Sequence, residues 1–280
     1  MSLTNTQPGD VRPDEVAAPV PAVLGVHGIT KRYAPGSKPV LEDLTFEVQA
    51  GEIVCIVGPS GIGKTTLLKS IAGLHPVTSG RIEIDGVPIS GPPRQMALVF
   101  QDYSRSLMPW LTVPKNVEMP LRRLKLGKKE TVERRRAALE AVNLADADKK
   151  YPWQLSGGMQ QRVAIARALA YQPEVLIMDE PFASVDAQTR FDLEDLTLSI
   201  RDNYNMTIVV VTHDIDEAVY LADRVIVLGG SPARVQTTIE VDLPSPRTQV
   251  TTRADQRFTS LRTEVLEVIS RARPGTDLPG

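Results

Sequence analysis

Long apolar runs are missing from this chain of 280 residues. None approaches the roughly 20 consecutive apolar residues that a membrane-spanning helix needs. Cysteine is nearly missing as well: Cys55 stands alone, which excludes an internal disulfide. Its setting, "IVCIV", reads as a buried core thiol rather than a reactive one. A strong charge of either sign is also lacking. The 32 Lys and Arg against 34 Asp and Glu leave a net charge of −2, without the basic excess of a dedicated nucleic-acid binder. Residues 1–23 hold neither a basic leader nor an apolar segment, so no signal peptide is expected. Rich in Pro, Ala and acidic residues, they read as a disordered tail, and the protein is expected to stay in the cytoplasm.

What is present is an ordinary globular composition, 42% hydrophobic and 24% charged, in a chain long enough for one large domain or two small ones. From about residue 24 the pattern is strand-rich. "LGVHGITKRY" and "VLEDLTFEV" alternate loosely, and "RIEIDGVPI" sets Asp85 and Gly86 where a tight hairpin turn belongs. "EIVCIVG" is a short continuous apolar run suited to a strand buried on both faces. Similar runs recur at "MALVF", "EVLIMDE", "MTIVVVT" and "RVIVLGG", separated by helical patterns, which implies a parallel sheet with helices packed on it. Between about 102 and 170 the strand signal gives way to helical periodicity, so a helical subdomain inserted into an α/β core is expected. After about 235 a polar connector leads to "RFTSLRTEVLEVISRA". There Phe258, Leu261, Val265, Val268 and Ile269 share one face of a helix expected to dock.

The run Gly58, Pro59, Ser60, Gly61, Ile62, Gly63, Lys64, Thr65 fits the phosphate-binding pattern G-x-x-x-x-G-K-[ST] between a strand and a helix. Glycines there let backbone N–H groups face phosphate oxygens, Lys64 would bridge the outer phosphates, and the Thr65 hydroxyl would hold Mg²⁺. "VLIMDEP" supplies Asp179 for Mg²⁺, largely through water, and Glu180 to orient and deprotonate an attacking water. Gln101 and His213 close two further strands, and each is ambiguous alone. Gln101 would complete the Mg²⁺ shell and sense the water; His213 would hydrogen-bond the γ-phosphate or the water. His27 and His75 have no neighbours at metal-ligand spacing and receive no role. A second anion cradle opens "LSGGMQQR": Ser156 can cap the following helix, whose free N–H groups favour negative charge.

Together these pieces resemble the nucleotide-binding subunit of ATP-binding-cassette transporters. The resemblance covers roughly residues 24–235 and adds Tyr33, as the aromatic that stacks on adenine, and "SVDA". The family often reads Ser-Ala-Leu-Asp there; this chain has Ala183, Ser184, Val185 and Asp186, so the hydroxyl is moved by one place. The resemblance implies an α/β P-loop ATPase core with an antiparallel β subdomain and an inserted helical subdomain, ATP and Mg²⁺ as cofactors, and residues 236–280 as a C-terminal connector and docked helix. It puts Thr66 in the first cradle with the eight residues above it. It also implies two subunits packed head to tail, with Ser156, Gly157 and Gly158 binding the γ-phosphate held by the other subunit, a second copy or a paralogue.

"LMPW-LTV-NV", after Gln101, looks like the importer branch that handles nitrate, sulfonate, taurine and related solutes. In that branch the region helps form a groove for a permease helix. Leu107, Met108, Trp110 and Leu111 are either such an interface or simply core. The implied partners are membrane permease subunits and, indirectly, an extracytoplasmic solute-binding protein, with no nucleic acid. The implied place is the cytoplasmic face of the inner membrane, as a peripheral subunit. The basic stretch 122–136 reads first as a solvated helix face and second as a surface near anionic lipid. The rival reading is a soluble single-cassette ATPase of a non-transport assembly, of the iron–sulfur cluster building type. A nucleotide-gated scaffold is disfavoured because Glu180 and His213 are both present.

Overall fold

The structure is a computed structural model, which describes residues 22–272 except for the side chains of Tyr103 and Ser104. The tail expected over residues 1–23 lies outside the described residues apart from Ala22 and Val23, which open the first strand.

Strands β1 (Ala22–Lys31), β2 (Leu41–Gln49), β4 (Ser79–Ile84) and β5 (Val87–Pro88) form an antiparallel sheet in the order β2-β1-β4-β5. In β2, Leu44, Phe46 and Val48 alternate inward against polar neighbours facing out. That period of two marks a sheet with one wet face. Asp85 and Gly86 take φ of 49° and 72° between β4 and β5, the paired left-handed conformation that a tight two-residue hairpin requires.

The second sheet holds β3 (Ile53–Val57), β6 (Met96–Val99), β7 (Val175–Asp179), β8 (Thr207–Val211), β9 (Arg224–Gly229) and β10 (Arg234–Glu240), in the order β10-β9-β3-β8-β7-β6. All neighbours pair in parallel except β10, which runs antiparallel to β9. Every residue of β3, β7 and β8 is buried, because both faces of this sheet are covered. Ile53, Cys55 and Val57 point into one core and Val54 and Ile56 into another. The second core is closed by the antiparallel sheet and by α1 (Lys64–Ile71). The chain was expected to leave the sheet at about 235; instead β10 runs across that point. Its burial alternates weakly, with Ile239 inside, as suits an edge strand.

The first core is closed by helices α3 (Val113–Glu118), α4 (Lys128–Ala141), α5 (Gly157–Ala170), α6 (Ala187–Tyr204), α7 (Ile215–Leu221) and α9 (Gln256–Arg271), with the short helices α2 (Tyr103–Ser106) and α8 (Thr251–Ala254) outside it. Along α9, Phe258, Val265 and Ile269 are buried, with Leu261 and Val268 packed beside them. Just before α9, the guanidinium of Arg253 lies over the rings of Phe191, Tyr220 and Phe258 and pairs with the fully buried Glu194 of α6. Among the described residues no helix is long and apolar enough to cross a membrane.

Candidate active site

The first cradle joins the end of β3 to the start of α1. Gly61 and Gly63 take φ of 77° and 112°, a region that side-chain-bearing residues avoid. The turn they allow brings Lys64 back over its own loop. Its Nζ donates to the carbonyl oxygens of Gly58 at 2.8 Å and Pro59 at 3.2 Å. Lys64 is buried, and burial lowers its ammonium pKa against the raising influence of Glu180 and Asp179. A cation held this way, with Ser60, Gly61 and Thr65 exposed around it, gains an anionic partner at little ordering cost. Tyr33 stands at the rim, 62% exposed, its hydroxyl 3.0 Å from that of Thr66. The ring is an open platform beside the loop.

Strands β7 and β8 lead into the carboxylates Asp179 and Glu180 and the imidazole of His213. Asp179 ends β7 almost fully buried, and its Oδ1 has no hydrogen-bond partner. Burial and then Glu180 raise its pKa, while Lys69 and Lys64 pull it down. A buried, orphaned carboxylate oxygen is a fitting ligand for a divalent cation, and so is the exposed hydroxyl of Thr65. Glu180 follows at φ 42°, strained for a residue with a side chain, with its N–H donating to Val211 O at 2.7 Å. Its Oε2 accepts from Gln101 Nε2 at 3.0 Å and lies 3.2 Å from His213 Nδ1. Three residues far apart in sequence thus meet on one oxygen. Next to His213, Asp214 caps α7 by accepting from the N–H groups of Asp216 and Glu217, and it pairs with Arg190 of α6 at 2.9 Å.

The second cradle stands on a different helix. Ser156 caps α5, accepting from the Met159 N–H at 3.3 Å. Ser156 and Gly157 are exposed, whereas Gly158 is buried. Sequence reasoning missed three residues around these sites. His75 meets Tyr33 edge-on, ring centroids 6.3 Å apart; Lys69 acts on Asp179; and Thr189 touches both Asp186 and the Gly158 position. Lys69 was legible as the residue one helical turn and a half after Lys64. The other two depend on contacts between distant segments.

The "LMPW" stretch divides. Leu107 is core at 2% exposed, but Trp110 is 70% exposed. Asn116, fully buried in α3, explains the split: its Nδ2 donates to the carbonyls of Met108, Leu111 and Thr112, and its Oδ1 accepts from the Met108 N–H. The loop is tied from beneath and presents the indole outward. A cavity of about 330 Å³ opens between β6, α5 and the turn after α3, lined by Met96, Leu98, Met119, Leu124, Ala168 and Tyr171 among others. In the basic stretch, Lys129 and Arg136 pair with Glu133 and Glu140 on a solvated face, whereas Arg134 and Arg135 are half-buried in pairs with Glu130 and with Glu118 of α3.

Residues 41–183 match the ABC transporter family. The aliphatic sulfonates import ATP-binding protein SsuB of Bacillus licheniformis is 44% identical over 248 residues, which cover 87% of this chain and 93% of that protein. The nitrate transport protein NasD of Klebsiella oxytoca is 41% identical over 258 residues, covering 90% and 98%. Among solved structures, cbiO1 of Clostridium perfringens, part of the ABC transporter complex cbiONQ, gives a TM-score of 0.73 at 29% identity, over 78% of this chain and 88% of that one. The ATP-binding cassette MJ0796, solved as a dimer in a post-hydrolysis state with ADP and Pi, gives 0.68 at 33% identity, over 78% and 98%. Sequence and fold therefore agree that this chain belongs to the ABC transporter family, as one of its ATP-binding, ATP-hydrolysing subunits.

Proposed function

We propose that this subunit powers the import of a small oxyanionic solute, of the sulfonate or nitrate class, by closing head to tail with a second copy around two ATP molecules. Glu180 is the general base. Gln101 and His213 hold its Oε2 in place and reach the attacking water and γ-phosphate. Residues 58–66 cradle the phosphates with Lys64 as the main cation, and Tyr33 stacks on the adenine. Thr65, Asp179 and Gln101 would hold Mg²⁺, which would neutralise charge on the outer phosphates. Ser156, Gly157 and Gly158 receive the γ-phosphate held by the partner subunit. Two cradles on one chain then serve two different nucleotides, and hydrolysis releases the closed dimer. The convergence of Gln101, Glu180 and His213 on one carboxylate oxygen carries the catalytic part of this reading.

The cavity beside α5, apolar at Met96, Leu98 and Met119 and basic at Arg94, Arg123 and Arg167, and the exposed indole of Trp110 are the surfaces that receive the permease on the cytoplasmic face of the membrane. A solute-binding protein acts only through that permease. Relatives named for sulfonate import and nitrate transport support the solute class, and they favour transport over a non-transport assembly. Glu180→Gln tests the core of the proposal. Base loss slows hydrolysis about 10²–10⁴-fold while ATP binding persists, so ATP should hold two subunits together on gel filtration. Normal turnover by the variant would remove Glu180 from its role. The solute class is tested by deleting the gene and measuring growth on an alkanesulfonate as sole sulfur source or nitrate as sole nitrogen source. Undiminished growth on both refutes it.

A further inference from the structure

The three residues of the second cradle are not alike. Ser156 and Gly157 face solvent, but Gly158 is buried. A Cβ built at Gly158 would lie 2.2 Å from Thr189 Cγ2, while Thr189 Cβ and Oγ1 would lie at the ordinary distances of 3.5 and 3.7 Å. One methyl group on α6 therefore occupies the space in which any side chain at 158 would have to sit.

That methyl group cannot easily step aside. Thr189 is β-branched, with few χ1 rotamers open to it in a helix, and both its polar groups are engaged. Its hydroxyl donates to Asp186 Oδ2 at 2.7 Å and its N–H donates to Asp186 Oδ1 at 3.0 Å. Asp186 in turn caps α6 at its first turn, and these two bonds hold its carboxyl below the usual carboxylate range. Turning Thr189 away from residue 158 would break the hydroxyl bond and loosen the cap. Asp186 also ends the short loop that begins directly after Glu180.

We propose that Thr189 is a positioning residue that locks the start of α5 to the capped start of α6, and that residue 158 must be glycine because of Thr189 rather than because of the phosphate. The cradle that meets the partner's nucleotide and the loop that leaves this subunit's own Glu180 are then held in one fixed relation. This inference rests on the proposed head-to-tail closure. Its content is the origin of the glycine requirement and the part played by a threonine outside the two cradles.

The test is a suppressor series made with the full chain. Gly158→Ala pushes Thr189 off its rotamer and shifts the first turn of α5, and misplacement on the ångström scale costs about 10²-fold in turnover. Thr189→Ser removes only Cγ2 and keeps the hydroxyl, so its turnover should stay near that of the parent. In Gly158→Ala/Thr189→Ser the nearest neighbour left to the new methyl is at 3.5 Å, so turnover, and ATP-driven dimerisation once Glu180→Gln is added, should return to the level of Thr189→Ser. A double variant as inactive as Gly158→Ala would overturn the proposal, because the anion, which meets the backbone at 158, would then itself demand that no side chain be there. Full activity of Gly158→Ala beside an intact Thr189 would overturn it too.

Thr189→Val guards against simple misfolding. It keeps the methyl contact and removes the hydroxyl bond to Asp186, so turnover should fall while nucleotide binding by the monomer holds and the melting temperature drops only by the loss of one exposed hydrogen bond. Turnover equal to that of the parent would refute the positioning role. The two readings fail separately. If Glu180→Gln alone shows no ATP-driven dimer, head-to-tail closure is wrong; if it dimerises and the double variant is not rescued, only the Thr189 inference falls.

Discussion

Replacing Arg253 by methionine asks what holds the C-terminal segment to the ATPase core. The guanidinium donates to Glu194 Oε2 at 2.7 Å and Gln249 Oε1 at 2.8 Å, and its centre lies 4.9–5.6 Å from three ring centroids. Methionine keeps much of the aliphatic bulk and removes the charge. Glu194, fully buried and already raised above the ordinary carboxylate range by burial, then loses the cation that pulls it down. The carboxyl can escape by taking a proton. From an unfolded pKa of about 4.3, that costs about 3.7 kcal/mol at pH 7 and about 1 kcal/mol at pH 5. Lost cation–π contacts add about 1–2 kcal/mol at either pH. The parent's own raised carboxyl already bears part of that cost, so the variant should be weakened by at most about 5 kcal/mol at pH 7 and about 2 kcal/mol at pH 5, or at most about 10–20 °C and about 4–8 °C in melting temperature. The sign follows from linkage: a carboxyl with a raised folded pKa withdraws stability as pH climbs from its unfolded value through its folded one. Melting curves of both proteins without nucleotide, at each pH, supply the measurement. An equal loss at the two values would refute the reasoning, since the cost would then lie in packing and not in the stranded charge.

Lys64→Ala should abolish nearly all ATP binding, because the chief cation of the first cradle is gone; wild-type hydrolysis by the purified variant would show the cradle to be misassigned. Trp110→Ala should leave melting within the small range of about 0.5 kcal/mol typical of surface changes, yet weaken co-purification with the permease by about 2 kcal/mol, a hot-spot loss. A strongly lowered melting point with unaltered partner binding would return the indole to the core. Glu217→Gln removes a carboxyl whose pKa is pushed well up, first by burial and then by Glu194 and Asp214. A carboxyl so raised withdraws stability from the parent as pH climbs above its unfolded value of about 4.3, so the variant should gain over the parent across the window that opens there and runs upward. Parallel melting profiles across that window would count against it.

Much of the fold was legible because its signals are local. The run Ile53–Val57 is apolar at every place, and a strand so written has to be covered on both sides. Ser156 and Gly63 announce helix starts within a few residues of themselves. Strand β10 was harder: an edge strand with polar residues on its wet face carries little hydrophobic period, and Ile239 is its one buried side chain. Trp110 and Leu107 sit three places apart in one apolar run, and only Asn116, reaching back beneath the loop, decides which of them goes inside. The pairing of Gly158 with Thr189, like that of Tyr33 with His75, joins segments with no shared pattern. Arg253 resembles any surface cation in the sequence, yet it is placed among three rings and a buried acid.

Strand β3 is the shared wall between the two cores, with Cys55 facing one and Ile56 the other. Neither core can melt alone without stripping one side of the same five residues. Subdivision of the chain into an antiparallel sheet, a parallel sheet and a helical region should therefore not appear in calorimetry as separate transitions, and heat should unfold the described body as one cooperative unit. The loop proposed to hold the nucleotide begins at the residue after β3, so a ligand bound there would be tethered to the wall itself. Its binding free energy is added to the whole unit by mass action, and slow-exchanging amides on β7 and β8, some distance from the phosphates, should gain protection together with those of β3.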